Sequence, residues 1–148
     1  MNLFQKMTSL VRRVLTVLAV VAMLGMGFSA PSYAATPARF VFDYPPSPDK
    51  FVIELTDEKL IQQARDILSG KETDKTHVFG RIKKSTAPYN PKWSYQLDPA
   101  TISFFSYAIE VCDASIGYTE DHLDEAGGAF LPGAMWCPWG SRLVKEVS

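Results

Sequence analysis

The clearest alternation of apolar and polar positions in the chain lies at 51–55, where Phe51, Ile53 and Leu55 face one way and Val52 and Glu54 the other. A period of two predicts a strand. Directly after it the period lengthens: Leu60, Ile61, Ala64, Ile67 and Leu68 recur at helical spacing and form one apolar face. Thr56 is placed to cap this helix, Asp57 and Glu58 sit at its positive end, and Gly70 ends it.

The remaining pattern adds mostly strands. Thr76 to Lys83 reads as one, with Gly80 marking a bulge or a close backbone approach. Pro88 and Pro91 bracket a turn around Tyr89-Asn90, after which Trp93, Tyr95 and Leu97 alternate with Ser94 and Gln96 in a half-buried strand that stops at Asp98-Pro99. Ile102 to Val111 is apolar on both alternating faces apart from Ser103, Ser106 and Glu110. Period alone does not separate strand from helix in so short a run, and its β-branched and aromatic content favours a central strand covered on both sides. Tyr118 to Ala126 reads as a short acidic surface helix ended by Gly127-Gly128, and Ser141 to Val147 as a last strand. The sum is an α+β fold: a mostly antiparallel sheet with one amphipathic helix and one short helix packed on it, in a single domain over 51–148.

The N-terminus changes the setting. Lys6, Arg12 and Arg13 precede an uncharged run from Val14 to Phe28, and Ser32-Tyr33-Ala34 offers small residues where a signal peptidase reads. This predicts a cleavable signal peptide over 1–34. The run is shorter than the roughly 20 residues that a membrane-spanning helix needs. Export places the molecule in an extracytoplasmic space, whether periplasm, thylakoid lumen or secreted, with no membrane contact after cleavage. Pro37, Pro45, Pro46 and Pro48 predict that 35–50 is an extended, partly ordered lead-in. Of 15 basic and 16 acidic residues the signal removes three basic ones, leaving 12 against 16, a net charge of −4. That sign argues against nucleic acid as a partner.

Candidate chemistry is sparse. Cys112 and Cys137 are the only cysteines, and in an oxidising space two thiols more often pair than stay free. Their bond would close a loop of about 26 residues, worth roughly 3.5 kcal/mol by loop entropy. A reactive thiol would need a basic neighbour, whereas Asp113 follows Cys112. His122 lies among acids, with Asp121 before it, and with Asp113 and Glu110 it forms the candidate set for a weak metal or acid/base site. Only His77 could add a second imidazole, too few ligands for a zinc site. No Gly-x-Ser-x-Gly elbow and no phosphate-binding Gly-rich loop is present. No cofactor is therefore expected. Trp136 and Trp139 flank Cys137-Pro138 and make a rigid aromatic loop, suited either to a protein or carbohydrate ligand or to capping an open end of the core.

Trp93-Ser94-Tyr95, Leu97-Asp98-Pro99, Ser103-Phe104-Phe105, Ala108 to Ala114, His122-Leu123-Asp124-Glu125, Phe130-Leu131-Pro132-Gly133 and Trp136-Cys137-Pro138-Trp139 with Ser141 to Val144 form a specific run of motifs. They resemble a family of small secreted domains related to the N-terminal domain of a calmodulin-binding protein, over about Phe51 to Val147. The resemblance implies a domain boundary and an exported location, and no catalytic set. The helix over 57–69 has only Lys59 and Arg65 as cations, unlike the basic amphipathic helices that calmodulin takes, so calmodulin binding is not carried over. Two functions are left in competition. The first is an exported, non-enzymatic binding or structural module; the second is a small extracytoplasmic hydrolase or metal-dependent enzyme built on His122 and its carboxylate neighbours.

Overall fold

The computed structural model describes residues 35–108 and 110–148, without the side chain of residue 110. The expected signal segment, 1–34, lies outside the described residues. Among those described, no helix is long and apolar enough to cross a membrane. The fold is α+β, with mostly antiparallel pairing.

The first sheet has the order β2-β1-β9, from β1 (Ala38–Tyr44), β2 (Ser47–Leu55) and β9 (Arg142–Val147). The segment 35–50 is therefore not a partly ordered lead-in. Its prolines fall at the turn and at the start of β2, which leaves 38–44 free to pair on both edges, with β2 and with β9. Phe40 and Phe42 are fully buried opposite Ile53 and Phe51. Prolines at the ends of a hairpin cost no ladder hydrogen bond, and β1 itself contains none.

α1 (Glu58–Ser69) buries Ile61 and Ala64 and packs against β2 and β9. Its cap is Asp57 rather than Thr56: the Asp57 carboxylate accepts from the N–H groups of Lys59 and Leu60 at 2.9 and 3.0 Å. Gly70 takes the left-handed conformation (φ 78°) that closes the helix. Arg65 on α1 forms a two-pronged ion pair with Glu146 on β9.

The second sheet is built on β3 (His77–Lys83), which pairs over different stretches with β4 (Gln96–Leu97), β5 (Ser103–Phe105) and β8 (Met135–Trp136). Gly80 is the close approach expected of it: a Cβ there would stand 3.2 Å from Leu97 Cδ1. Trp93, Tyr95 and Leu97 are buried while Ser94 and Gln96 are not, although only the last two residues of that run pair as a strand. The long central strand expected over 102–111 is instead three short pieces. Pro99–Thr101 is a 3-10 turn, β5 pairs for three residues, and Glu110–Cys112 is a second 3-10 turn. The chain between leaves Tyr107 86% exposed and Val111 58% exposed. Apolar character there marks a surface, which period alone could not distinguish from a core.

α2 (Ile116–Asp121) begins two residues before the expected short helix and ends five before it, capped by Ser115, whose hydroxyl accepts from the Tyr118 N–H. β6 (Ala126–Gly127) and β7 (Phe130–Pro132) form a small parallel pair. In the turn that follows, Leu131 and Ala134 sit at φ 46° and 58°, left-handed values that strain a side-chain-bearing residue. Phe42, Phe51, Tyr95 and Trp136 form the aromatic centre of the core, with ring centroids 4.9–5.7 Å apart.

Candidate functional site

Cys112 and Cys137 are joined in a disulfide. Three further bonds fasten the same two segments. Cys137 N–H donates to the Cys112 carbonyl at 2.8 Å, Trp139 N–H donates to the Asp113 carboxylate at 2.9 Å, and Trp136 Nε1–H donates to the Ala114 carbonyl at 2.9 Å. The loop is therefore rigid, but its exposure differs from expectation. Trp136 is fully buried and Cys137 and Pro138 are buried with it. Trp136 fills the centre of the core because β8 pairs with β3 and directs that indole inward. Of the three residues singled out as a binding loop, Trp139 alone reaches the surface.

Trp139 belongs to a row of rings. On β3, Val78, Gly80 and Ile82 point into the core, so His77 and Phe79 fall on the outer face. Opposite His77 in the ladder stands Phe105, on the outer face of β5. Phe105 lies 5.5 Å from His77, 6.4 Å from Phe79 and 6.1 Å from Trp139, the last two edge to face. All four rings are half-buried. The sequence pattern carried this signal in the alternation of β3, which puts two rings on the face away from Val78 and Ile82.

At one end of the row His77 and Trp139 line a cleft of about 550 Å³. Its far wall is the end of α1 and the loop after it, with Ile67, Thr73 and Thr76. His77 is fixed by Ser141: the Ser141 carbonyl lies 3.0 Å from Nδ1, and the Ser141 hydroxyl accepts the Val78 N–H at 2.9 Å. A carbonyl only accepts, so a neutral His77 holds its proton on Nδ1 and has Nε2 as an acceptor. Two charged residues reach the rim. Arg142 is engaged through Nε and a terminal nitrogen by the Asp43 carboxylate, which raises its pKa. Glu72 accepts from the N–H groups of Asp74 and Lys75, which hold its carboxyl below the ordinary value. Trp139 Nε1 is buried and has no hydrogen-bond partner. Phe79, at the other end, lines an apolar cavity of about 380 Å³ with Val111, Pro132 and Met135.

The candidate metal or acid/base set does not assemble. His122 stacks on Tyr118 at 4.2 Å, meets Phe130 at 5.9 Å, and its Nδ1 lies 3.0 Å from the Glu125 carboxylate. Asp113 instead serves the Trp139 N–H, with the Tyr44 hydroxyl at 3.5 Å. Burial and the Asp113 charge together raise the Tyr44 pKa. Asp121 is exposed at the end of α2, and the Glu110 side chain lies outside the described atoms. Among the described residues no three His, Cys, Asp or Glu side chains are grouped to hold a metal ion.

No curated protein and no solved structure matches the chain. A family model, that of the BP-74 N-terminal domain, matches residues 36–148 and so takes in β1 as well as every later element. The chain belongs to the BP-74 N-terminal domain family.

Proposed function

We propose that the protein is an exported binding module with no catalytic role of its own, and that it holds its ligand at the cleft between Trp139, His77 and the end of α1. The observation that carries this reading is the placement of Trp139. Its backbone is clamped by Asp113 and by the neighbouring disulfide, while its ring stays half-exposed at the end of an aromatic row and on the wall of a cleft. A rigid, partly exposed aromatic side chain beside a cavity is what binding surfaces use as an anchor, because little entropy is lost when it is covered. The disulfide is compatible with an extracytoplasmic setting.

The competing reading, an enzyme built on His122, has less support. His122 is engaged with Glu125 and two aromatic rings, and Asp113 is spent on the loop of Trp139. Ligand capture from an extract of the protein's own compartment tests the two readings. Wild type and His122→Ala should retain the same ligand and Trp139→Ala should lose it. Retention by Trp139→Ala together with loss by His122→Ala would overturn the proposal.

A further inference from the structure

Resting on that reading, we infer that the cleft takes a neutral, polyhydroxylated ring, that is, a carbohydrate unit laid against Trp139. The first argument is charge. Both charged groups at the rim are already committed, Arg142 to Asp43 and Glu72 to two backbone N–H groups. An anionic ligand would meet an arginine neutralised by its partner and a carboxylate that stays ionised, and a cationic ligand would have to compete with the donors that already hold Glu72. Neither sign of charge finds an unpaired counter-charge.

The second argument is the kind of surface on offer. Trp139 and His77 contribute ring edges and faces, Ile67 and Leu143 contribute apolar wall, and Thr73 and Thr76 contribute hydroxyls. His77 Nε2 adds an acceptor fixed in place by the Ser141 carbonyl. Such a mixture suits a ligand with an apolar face and a polar circumference. A sugar ring has that form, with C–H groups on its faces and hydroxyls at its edge. A purely apolar ligand would leave the threonines, the imidazole and the rim charges without partners, at a cost of about 1–3 kcal/mol for each buried group. The cleft, at about 550 Å³, lies within the range of small-ligand sites. The apolar cavity at Phe79 is a poorer match for such a ligand, since the side chains around it offer no hydroxyl or charged group.

The test is titration of the exported protein, followed by tryptophan fluorescence and calorimetry. The probes are neutral gluco-, manno-, galacto-, xylo- and N-acetylglucosamine oligomers, with oligogalacturonate and oligochitosan as charged comparators. Saturable binding of a neutral oligomer is expected, weakened at least roughly tenfold by Trp139→Ala and measurably by Thr76→Val. No saturable binding to any neutral oligomer overturns the inference, as does binding that both substitutions leave unchanged or that only a charged comparator shows. The binding-module proposal fails separately: a protein ligand captured through Trp139, without any response to sugars, removes the carbohydrate and keeps the module.

Discussion

Asn90 closes the outer edge of β2 at Val52: its side-chain carbonyl accepts the Val52 N–H at 2.8 Å and its side-chain amide donates to the Val52 carbonyl at 2.6 Å. One amide side chain thus imitates the strand that β2 lacks on that side. Trp93 extends the cover by donating Nε1–H to the Lys50 carbonyl at 2.8 Å. Open strand edges template aggregation, so the pair protects the sheet as well as stabilising it.

Asn90→Ala should therefore have two effects. Loss of both bonds, with Val52 left unpaired, should lower stability by about 2 kcal/mol. It should also bring on association at raised protein concentration, visible by light scattering. A variant as stable and as monodisperse as wild type would show that the edge is covered by other means.

Trp136 is expected to tolerate little. Its ring meets Phe42, Phe51 and Tyr95, and its nitrogen is the partner of the buried Ala114 carbonyl. Trp136→Phe removes ring volume and orphans that carbonyl, for a loss of about 2–4 kcal/mol in urea unfolding. Trp139→Ala should cost less than about 1.5 kcal/mol, because that ring is only half-buried.

Reduction of the Cys112–Cys137 bond, which spans 25 positions, should lower the unfolding free energy by about 3.5 kcal/mol. The comparison is denaturation with and without reductant, followed by alkylation and mass measurement. The three hydrogen bonds that join the same segments should keep the reduced protein folded at low denaturant. Collapse of the fold on reduction alone would mean those bonds contribute little.

Acid should destabilise the protein in a defined window. Asp49 is held below its ordinary pKa by Lys92, Asp98 by the Ala100 N–H and then Lys83, and Glu146 by Arg65. A carboxyl whose folded pKa is depressed adds stability that is complete above its unfolded value and vanishes as pH falls through the folded one. With ordinary values of 3.8 for Asp and 4.5 for Glu, the urea midpoint should be flat down to about pH 5 and fall below it. Asp98→Asn should flatten that fall. At the other extreme, burial raises the Tyr95 pKa from its ordinary 10.0. Its contribution is complete below pH 10.0 and is lost as pH rises further, so alkaline unfolding is expected there.

Most of the fold was legible where a period was long enough to be read. The helix over 58–69, the strand at 77–83 and the burial of Trp93, Tyr95 and Leu97 follow from spacing alone. What misled was composition without periodicity. The prolines around 38–44 hid a core strand, since proline at a strand's flanks looks the same in sequence as proline within a linker. The apolar run over 102–111 looked like a core strand but presents Tyr107 and Val111 to solvent. The site was half legible. Trp139 and the disulfide stand out in sequence, whereas His77 and Phe105 become neighbours only through the β3–β5 ladder, and His122 and Asp113 are parted by the same tertiary pairing.

The central claim, that Trp139 is the ligand contact, is tested most directly by the indole region of an amide-correlation NMR spectrum. The chain has three tryptophans. The Trp93 and Trp136 indole N–H groups are bonded to Lys50 and Ala114 carbonyls, whereas that of Trp139 is unpaired. On addition of the ligand captured by the wild-type protein, the Trp139 indole resonance should shift with saturation while those of Trp93 and Trp136 stay in place. An unmoved Trp139 resonance, with ligand bound and the His122 ring signals shifted instead, would contradict the account.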